Sequence, residues 1–315
     1  MNSLIVITGP TGVGKTELCL NLAQHYGIDI INADSRQIYA EIPIGTAAPT
    51  AEQMQKVKHY FVGTKHIDEY YSASMFEQDV LRLIAEKDRE QDKNPIAIMT
   101  GGSMMYIDAV CNGIDNIPTI REDVRNEMKQ RLETEGLEAL VEELKRLDPQ
   151  HWAIVDKNNP RRVVHALEIC HQTGRSYTSY RIGERKKRPF NIIKVGLTLD
   201  KVAKVKRGQV IMDHNELYER INKRVLSMVE HGLEEEVRKV LPFRQEKALN
   251  TIGYKEMFQY LDGNIPIDET IRQIQSNSRE YARKQLTWFK KDTEITWFRP
   301  EQKTEIINFI DKKLL

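Results

Sequence analysis

Residues 9–16 read GPTGVGKT, so Gly9, Gly14, Lys15 and Thr16 satisfy G-x-x-x-x-G-K-[ST] in full, with Pro10, Thr11, Gly12 and Val13 between the glycines. That spacing suits a chain of phosphates. Glycines let successive backbone N–H groups turn toward one anion, a following helix N-terminus adds positive potential, Lys15 supplies a point charge, and the Thr16 hydroxyl can hold Mg2+. The motif does not name a reaction, because kinases, NTPases and other transferases all need phosphate oxygens held and their charge neutralised. Two further groups bear on the chemistry. Asp34 closes the run IDIINAD and can serve either a metal ion or a general-base role. The turn in MTGGSMMY offers Thr100, Gly101, Gly102 and Ser103, where a small hydroxyl can hydrogen-bond a polar substrate atom or simply cap a turn.

The elements around these residues follow from apolar period. Residues 4–7 read as a buried strand that runs straight into the glycine loop, and a helix starts at about Lys15 with Leu18, Leu22 and Ala23 on one side. Further strands are expected at 28–34 and 95–102, separated by a helical stretch around 74–90. Short apolar strands alternating with helices predict a parallel sheet. After Pro118 the chain becomes highly charged and helical in period, with Val124, Met128, Leu132, Leu137, Leu140 and Leu144 available for packing. Strand signals return at 190–200 and that segment is expected to rejoin the first sheet. The organisation predicted is an α/β core from 1–117 and 191–315, interrupted by an all-helical subdomain at 118–190. Helices are expected again at 214–240 and 267–291, and RIGERKKRP at 181–189 reads as a basic linker.

Composition narrows the setting. The 315 residues carry 47 Lys plus Arg against 46 Asp plus Glu, a net charge of +1, so nucleic-acid contact must come from local clusters. Cys19, Cys111 and Cys170 are odd in number and lack any C-x-x-C spacing, which argues against a disulfide framework or a zinc site and for a reducing compartment. No apolar run approaches the ~20 residues needed to cross a bilayer. A cytoplasmic protein is expected.

GPTGVGKT, NADSRQIY, IGTAAP, MTGGSMMY, NNPRRVVHALE, IGYKE and REYARKQLTWF occur in that order between about residues 5 and 290, and together they resemble the bacterial tRNA dimethylallyltransferases. The resemblance implies a P-loop kinase-like fold whose helical insertion grips the anticodon stem-loop of tRNA. It also implies transfer of a dimethylallyl group from dimethylallyl diphosphate to the exocyclic N6 amine of the adenosine 3′ of the anticodon, with Mg2+ as cofactor. The phosphates in the loop would then be a leaving group. Asp34 becomes the base, Ser103 keeps a hydroxyl where the family commonly has threonine, and Arg224, with Arg220 one turn earlier, faces the diphosphate. RNA contacts are expected from Asp34, Ser35, Arg36 and Gln37, from Arg125, Arg161, Arg162 and His165 in the insertion, and from the basic run 181–188. Lys255 and the late cluster Arg279, Arg283, Lys284, Gln285 and Trp288 complete that set, although Trp288 and Trp297 also read as packing residues. His165 and Lys255 stand where the family commonly has arginine. A monomer is expected. Residue types alone leave open a prenyltransferase acting on free adenine nucleotides, a nucleotide kinase or NTPase, and an RNA-binding protein that retains a phosphate loop.

Overall fold

The structure is a computed structural model that describes residues 2–90, 95–206 and 209–315. Its sheet orders six strands as β3-β2-β4-β1-β5-β8, where β1 is Ser3–Thr8, β2 Asp29–Asn32, β3 His59–Tyr60, β4 Ala97–Thr100, β5 Asn191–Leu197 and β8 Thr296–Phe298. Every neighbouring pair in this sheet is parallel. The remaining strands, β6 (Lys201–Lys206) and β7 (Gln209–Asp213), pair antiparallel beside it in sequence as a separate two-stranded sheet.

The apolar runs that marked the strands are continuous because both faces of the sheet are covered. On β1, Leu4 and Val6 join the core on one face while Ile5 and Ile7 join that on the other. β2 and β4 divide in the same way, with Ile31 and Met99 on the first side and Ile30 and Ile98 on the second. Helices cover both faces, and the glycine loop leaves the carboxyl end of β1, as in P-loop kinase-like proteins. The two-residue β3 went unrecognised in the sequence, since a run that short carries no period.

Residues 28–34 were expected to be strand to their end, but β2 stops at Asn32, so Asp34 stands beyond the sheet in the following turn. The segment 190–200 does rejoin the sheet: β5 runs along β1 with Ile5 opposite Ile193 and Ile7 opposite Val195. The stretch 214–240 is two helices, Asn215–Glu230 and Leu233–Val240, parted by Gly232 at φ 95°.

The chain divides into two compact units, 1–111 with 188–315, and 112–187. The sequence reading set the divisions at 118 and 190, at the change of texture. The smaller unit is helical: Glu122–Leu147, bent at Gly136, then Pro149–Ile154 and Pro160–Thr173. Its core joins Val124, Met128, Leu140 and Leu144 to Val163 and Leu167, with Leu132 and Leu137 packed at the margin. Asp148 closes that unit, its carboxylate accepting the His151 N–H at 3.0 Å and the Thr178 N–H and hydroxyl at 2.7 Å each.

Candidate active site

Three loops meet at the carboxyl ends of adjacent strands, because β2, β4 and β1 end level with one another: Asn32 pairs with Thr100, and Thr100 with Ile7. Such an edge is where open α/β sheets place their ligands. The loop after β1 is the glycine loop, and it turns into the helix Lys15–Tyr26 through Gly14, whose φ of 108° lies in the left-handed region. The loop after β2 carries Asp34. The loop after β4 carries Gly101 and Gly102, and it crosses so close to the β2 loop that a Cβ on residue 101 would sit 2.1 Å from the Ala33 carbonyl oxygen. Only glycine permits that crossing. It brings Gly102 against the Asp34 carboxylate, whose Oδ2 would lie 2.8 Å from a Cβ at residue 102.

Two adjoining cavities open on these loops, of about 370 and 300 Å³. The first is walled by the glycine loop, Lys15, Thr16, Thr100 and Gly101. The second is walled by Ser35, Arg36, Ser103 and Lys255 on its polar side and by Met228, Leu233, Ile252 and Ile274 on its apolar side. Thr11, Asp34, Thr46, Arg224 and Tyr281 line both.

The site is strongly cationic where the loop lies. Lys15 Nζ donates to the Gly9 and Pro10 carbonyls, each at 2.9 Å. Burial first, and the neighbouring Arg224 second, hold its pKa down at about 8. Arg224, from the helix Asn215–Glu230, donates through Nη2 to the Thr11 hydroxyl at 2.6 Å, and its Nε is buried with no partner among the described residues. Burial also lowers the Arg224 pKa, against the pull of Asp34. A guanidinium N–H left unpaired in an enclosed site is costly, and an anion between Lys15 and Arg224 would satisfy it. Arg220, one turn before, lies beside Gly14, its Nη1 3.8 Å from where a Cβ at residue 14 would stand, and forms ion pairs with Glu216 at 3.1 Å and Glu301 at 3.5 Å. Four-residue spacing put both arginines on one helical face, and only Arg224 lines the cavities.

Asp34 is held by one oxygen. Its Oδ1 accepts the Arg36 and Gln37 backbone N–H groups at 2.9 and 3.3 Å, while its Oδ2 accepts no hydrogen bond among the described residues. Several residues expected to meet substrate line the cavities and are also engaged within the protein. The Ser103 hydroxyl accepts the Ser35 N–H at 2.8 Å and donates to the Ser35 hydroxyl at 2.9 Å, so it pins the loop of Asp34. Both hydrogens of the Gln37 amide go to the Thr46 and Ala47 carbonyls, at 2.9 and 3.1 Å, which leaves its oxygen alone to face a ligand. Gln285 is fully buried; its Oε1 accepts the Thr11 N–H at 2.8 Å and its Nε2 donates to the Gly102 carbonyl at 2.7 Å. It therefore ties the glycine loop to the Gly101–Gly102 turn, and Tyr281 adds a hydroxyl donor to the same Gly102 carbonyl at 2.9 Å. A sequence reader sees Gln285 among cations and groups it with them; only its position on the inner face of the helix Ile267–Phe289 separates it.

The remaining expected contacts are spread. Arg283 and Lys284 lie exposed on the late helix, Lys284 paired with Glu280 at 2.7 Å, and Arg279 is anchored to Asn222 at 2.6 Å. Trp288 is partly exposed and donates to Asp108 at 2.8 Å. In the smaller unit, Arg161 and Arg162 are exposed on the first turn of the helix Pro160–Thr173, Arg125 is half-buried near the start of its own helix, and His165 Nδ1 stands 3.4 Å from Glu168. Arg188 departs from the basic run to which it was assigned. Its side chain is 7% exposed, ion-paired with equally buried Glu77 at 2.6 Å, and donates to the Ala109 and Val110 carbonyls. A run of cations looks uniform in sequence, but this one belongs to the core of the larger unit.

A family model described as IPP transferase matches residues 37–292. The chain belongs to the IPP transferase family. The matched span begins after the glycine loop, so membership rests on IGTAAP, MTGGSMMY and the later segments rather than on a motif many enzymes share. Relatives named tRNA dimethylallyltransferase 1 from Bacteroides thetaiotaomicron and Phocaeicola vulgatus are 52% and 53% identical, each over 98% of this chain, covering 96% and 98% of their own. The crystal structure of the full-length tRNA isopentenylpyrophosphate transferase from Bacillus halodurans is 36% identical with a TM-score of 0.70, covering 99% of this chain and 96% of that one. Among the departures from the IPP transferase pattern, Lys255 lines the second cavity and Ser103 keeps its hydroxyl in use, whereas His165 pairs with a glutamate.

Proposed function

We propose that this chain transfers a dimethylallyl group from dimethylallyl diphosphate to the N6 amine of the adenosine 3′ of the anticodon in tRNA, releasing diphosphate. One observation supports this reading above the rest: two adjoining cavities share a carboxylate and a guanidinium, with the phosphate-binding loop walling one and a mixed set of hydroxyls, cations and apolar side chains walling the other. The diphosphate takes the first cavity, between loop N–H groups, Lys15 and Arg224. The adenine, swung out of the anticodon loop, takes the second.

An adenine amine is a weak nucleophile because its lone pair is delocalised into the ring. As nitrogen bonds to the allylic carbon, the carbon–oxygen bond breaks with its electron pair leaving on the diphosphate, and the nitrogen's proton passes to Asp34. Hydrogen bonds to Oδ1 orient that carboxylate and Oδ2 receives the proton. Lys15 and Arg224 stabilise the charge that develops on the leaving oxygen. No cluster of three or more His, Cys, Asp or Glu suited to a metal occurs among the described residues. The Thr16 hydroxyl at the cavity mouth and the ligand's own phosphate oxygens are a donor set that fits Mg2+, which binds through phosphates and water with few protein ligands. When bound, Mg2+ would add to the charge neutralisation of the leaving group.

The exposed cations of the late helix and the smaller unit are proposed to carry the RNA backbone. No helix among the described residues is long and apolar enough to cross a membrane, and the proposed tRNA substrate fits a cytoplasmic protein. The test is transfer of label from dimethylallyl diphosphate, with Mg2+ present, to unmodified tRNA or to AMP. Label in tRNA supports the reading. Label in AMP alone, or ATP turnover without transfer, rejects it.

A further inference from the structure

We propose that Glu236 is a positioning residue for the transfer step: its buried carboxylate fixes the turn 44–47, which holds Gln37, which in turn orients Asp34. The proposal rests on the reading of Asp34 as the base.

Glu236 projects from the helix Leu233–Val240, is 6% exposed and lines neither cavity. Its Oε2 accepts the Ile44 N–H at 2.7 Å and its Oε1 the Gly45 N–H at 2.8 Å. These are first-turn donors of the short helix Pro43–Thr46, whose preceding residue supplies no side-chain cap. The carboxylate's third donor is the hydroxyl of Tyr254, fully buried, at 2.5 Å. A Cβ at residue 45 would stand 2.5 Å from that hydroxyl, so glycine is needed for the phenol to reach. A buried carboxylate is tolerated only when its oxygens are satisfied, and this one takes two of its three donors from a single turn.

The same turn carries strain and a wall of the site. Ala47 holds φ at 51°, an unfavourable left-handed conformation for a residue with a Cβ. Thr46 lines both cavities. The Thr46 and Ala47 carbonyls take both amide hydrogens of Gln37, and the Gln37 backbone N–H reaches Asp34 Oδ1 at 3.3 Å. Glu236 and Tyr254 line neither cavity, and the path reaches the cavity walls at Gly45, Thr46, Ala47, Gln37 and Asp34. Glu236 thus sets the geometry of the reacting carboxylate from outside the site.

Glu236→Gln keeps the shape but offers one acceptor oxygen and one donor nitrogen to three donors, so at least one N–H or O–H loses its partner. The expected result is a fall of about 10- to 100-fold in the single-turnover rate of transfer to unmodified tRNA, the scale of a small misplacement of a catalytic group. Dissociation constants for tRNA and diphosphate should stay within about threefold. Tyr254→Phe removes one donor and leaves the carboxylate's other two, so its loss should be about two- to fivefold. In an Asp34→Ala background both substitutions should have no further effect on the rate, because what they position is gone. A folded Glu236→Gln protein that transfers within twofold of the unaltered one overturns the proposal. So does a loss that multiplies with that of Asp34→Ala, the behaviour of a merely structural residue. Should Glu236→Gln not fold, the Tyr254→Phe cycle decides by the same criterion. Failure of the underlying reading looks different: Asp34→Ala alone would then transfer as fast as the unaltered protein.

Discussion

Replacing Arg224 with methionine should separate ligand binding from stability. Methionine keeps the apolar stem and removes the guanidinium. In the ligand-free protein two effects oppose each other: an unpaired buried Nε disappears, a relief of about 1–3 kcal/mol, and the hydrogen bond from a charged group to the Thr11 hydroxyl is lost, a cost of about 1.5–3 kcal/mol. The net change lies between about 1.5 kcal/mol of stabilisation and about 2 kcal/mol of destabilisation, so the melting temperature should fall by no more than about 8 °C. Diphosphate binding has no such compensation. Loss of even one charge-assisted hydrogen bond to a phosphate oxygen, at about 1.5–3 kcal/mol, weakens affinity about 10- to 150-fold. A second signature follows from the pair: Arg224 helps hold down the Lys15 pKa, so its removal should raise that pKa from about 8 toward its ordinary 10.5. Titration calorimetry with inorganic diphosphate across pH, beside a thermal melt, measures all three. A melting point lowered by 10 °C or so with diphosphate affinity within about threefold would refute the reasoning and make Arg224 a packing residue.

In the unaltered protein, the depressed Lys15 pKa makes diphosphate affinity fall as pH rises above about 8, approaching tenfold per pH unit, while the unfolded lysine at 10.5 still holds its proton, so the ligand-free protein gains stability between these values; affinity unchanged from pH 7 to 9.5 would contradict the assignment. Asp34→Asn should slow single-turnover transfer by about 10²- to 10⁴-fold with tRNA affinity nearly unchanged, which a filter-binding assay beside a rapid-quench experiment can check. Arg188→Ala should destabilise by about 1.5–3 kcal/mol, because it removes a charged donor from buried Glu77 and from the Ala109 and Val110 carbonyls, and should leave the salt dependence of tRNA binding unaltered. Replacing exposed Arg181, Lys186 and Lys187 together should flatten that salt slope if these residues carry phosphate contacts, and an identical slope would remove them from the interface.

The fold was legible where periodicity was strong. β1 and the helix after it followed from apolar run, glycine loop and Lys15, and β5 was expected to rejoin the first sheet because its segment alternates and then turns apolar, Lys194 notwithstanding. β3, two residues long, had no period to read. In the site, residue types announced Lys15 and left Asp34 open between a metal ion and a base, whereas Arg224 was singled out by the family resemblance, since by type and spacing it reads as part of a solvated helical face. Sequence could not reveal orientation. Arg220 and Arg224 share a helical face and both come near the glycine loop, yet Arg220 is paired with glutamates at its edge while Arg224 is buried against Thr11 and lines the cavities. Arg188 looked like its basic neighbours because its partner Glu77 lies more than a hundred residues away in the chain. Glu236 gave no signal at all: a glutamate amid charges on a helix is ordinarily solvated, and only tertiary packing turns this one inward.

That difference between residue type and orientation explains how the site divides its labour. Amides and hydroxyls that line the cavities, those of Ser103, Gln37 and Gln285, also bond to neighbouring loops, and one effect is to hold the turns after β1, β2 and β4 in register. Asp34 Oδ2 and Arg224 Nε are left uncommitted among the described residues, and both belong to side chains lining both cavities. A dipole or charge already fixed in place stabilises a transition state without reorganising at the moment of reaction, and it is the fixing that the committed residues supply. Substitutions should therefore sort by atom rather than by distance from the site: loss of an uncommitted group removes the chemistry itself, whereas loss of a committed one loosens a loop and lowers the rate through the geometry of another residue.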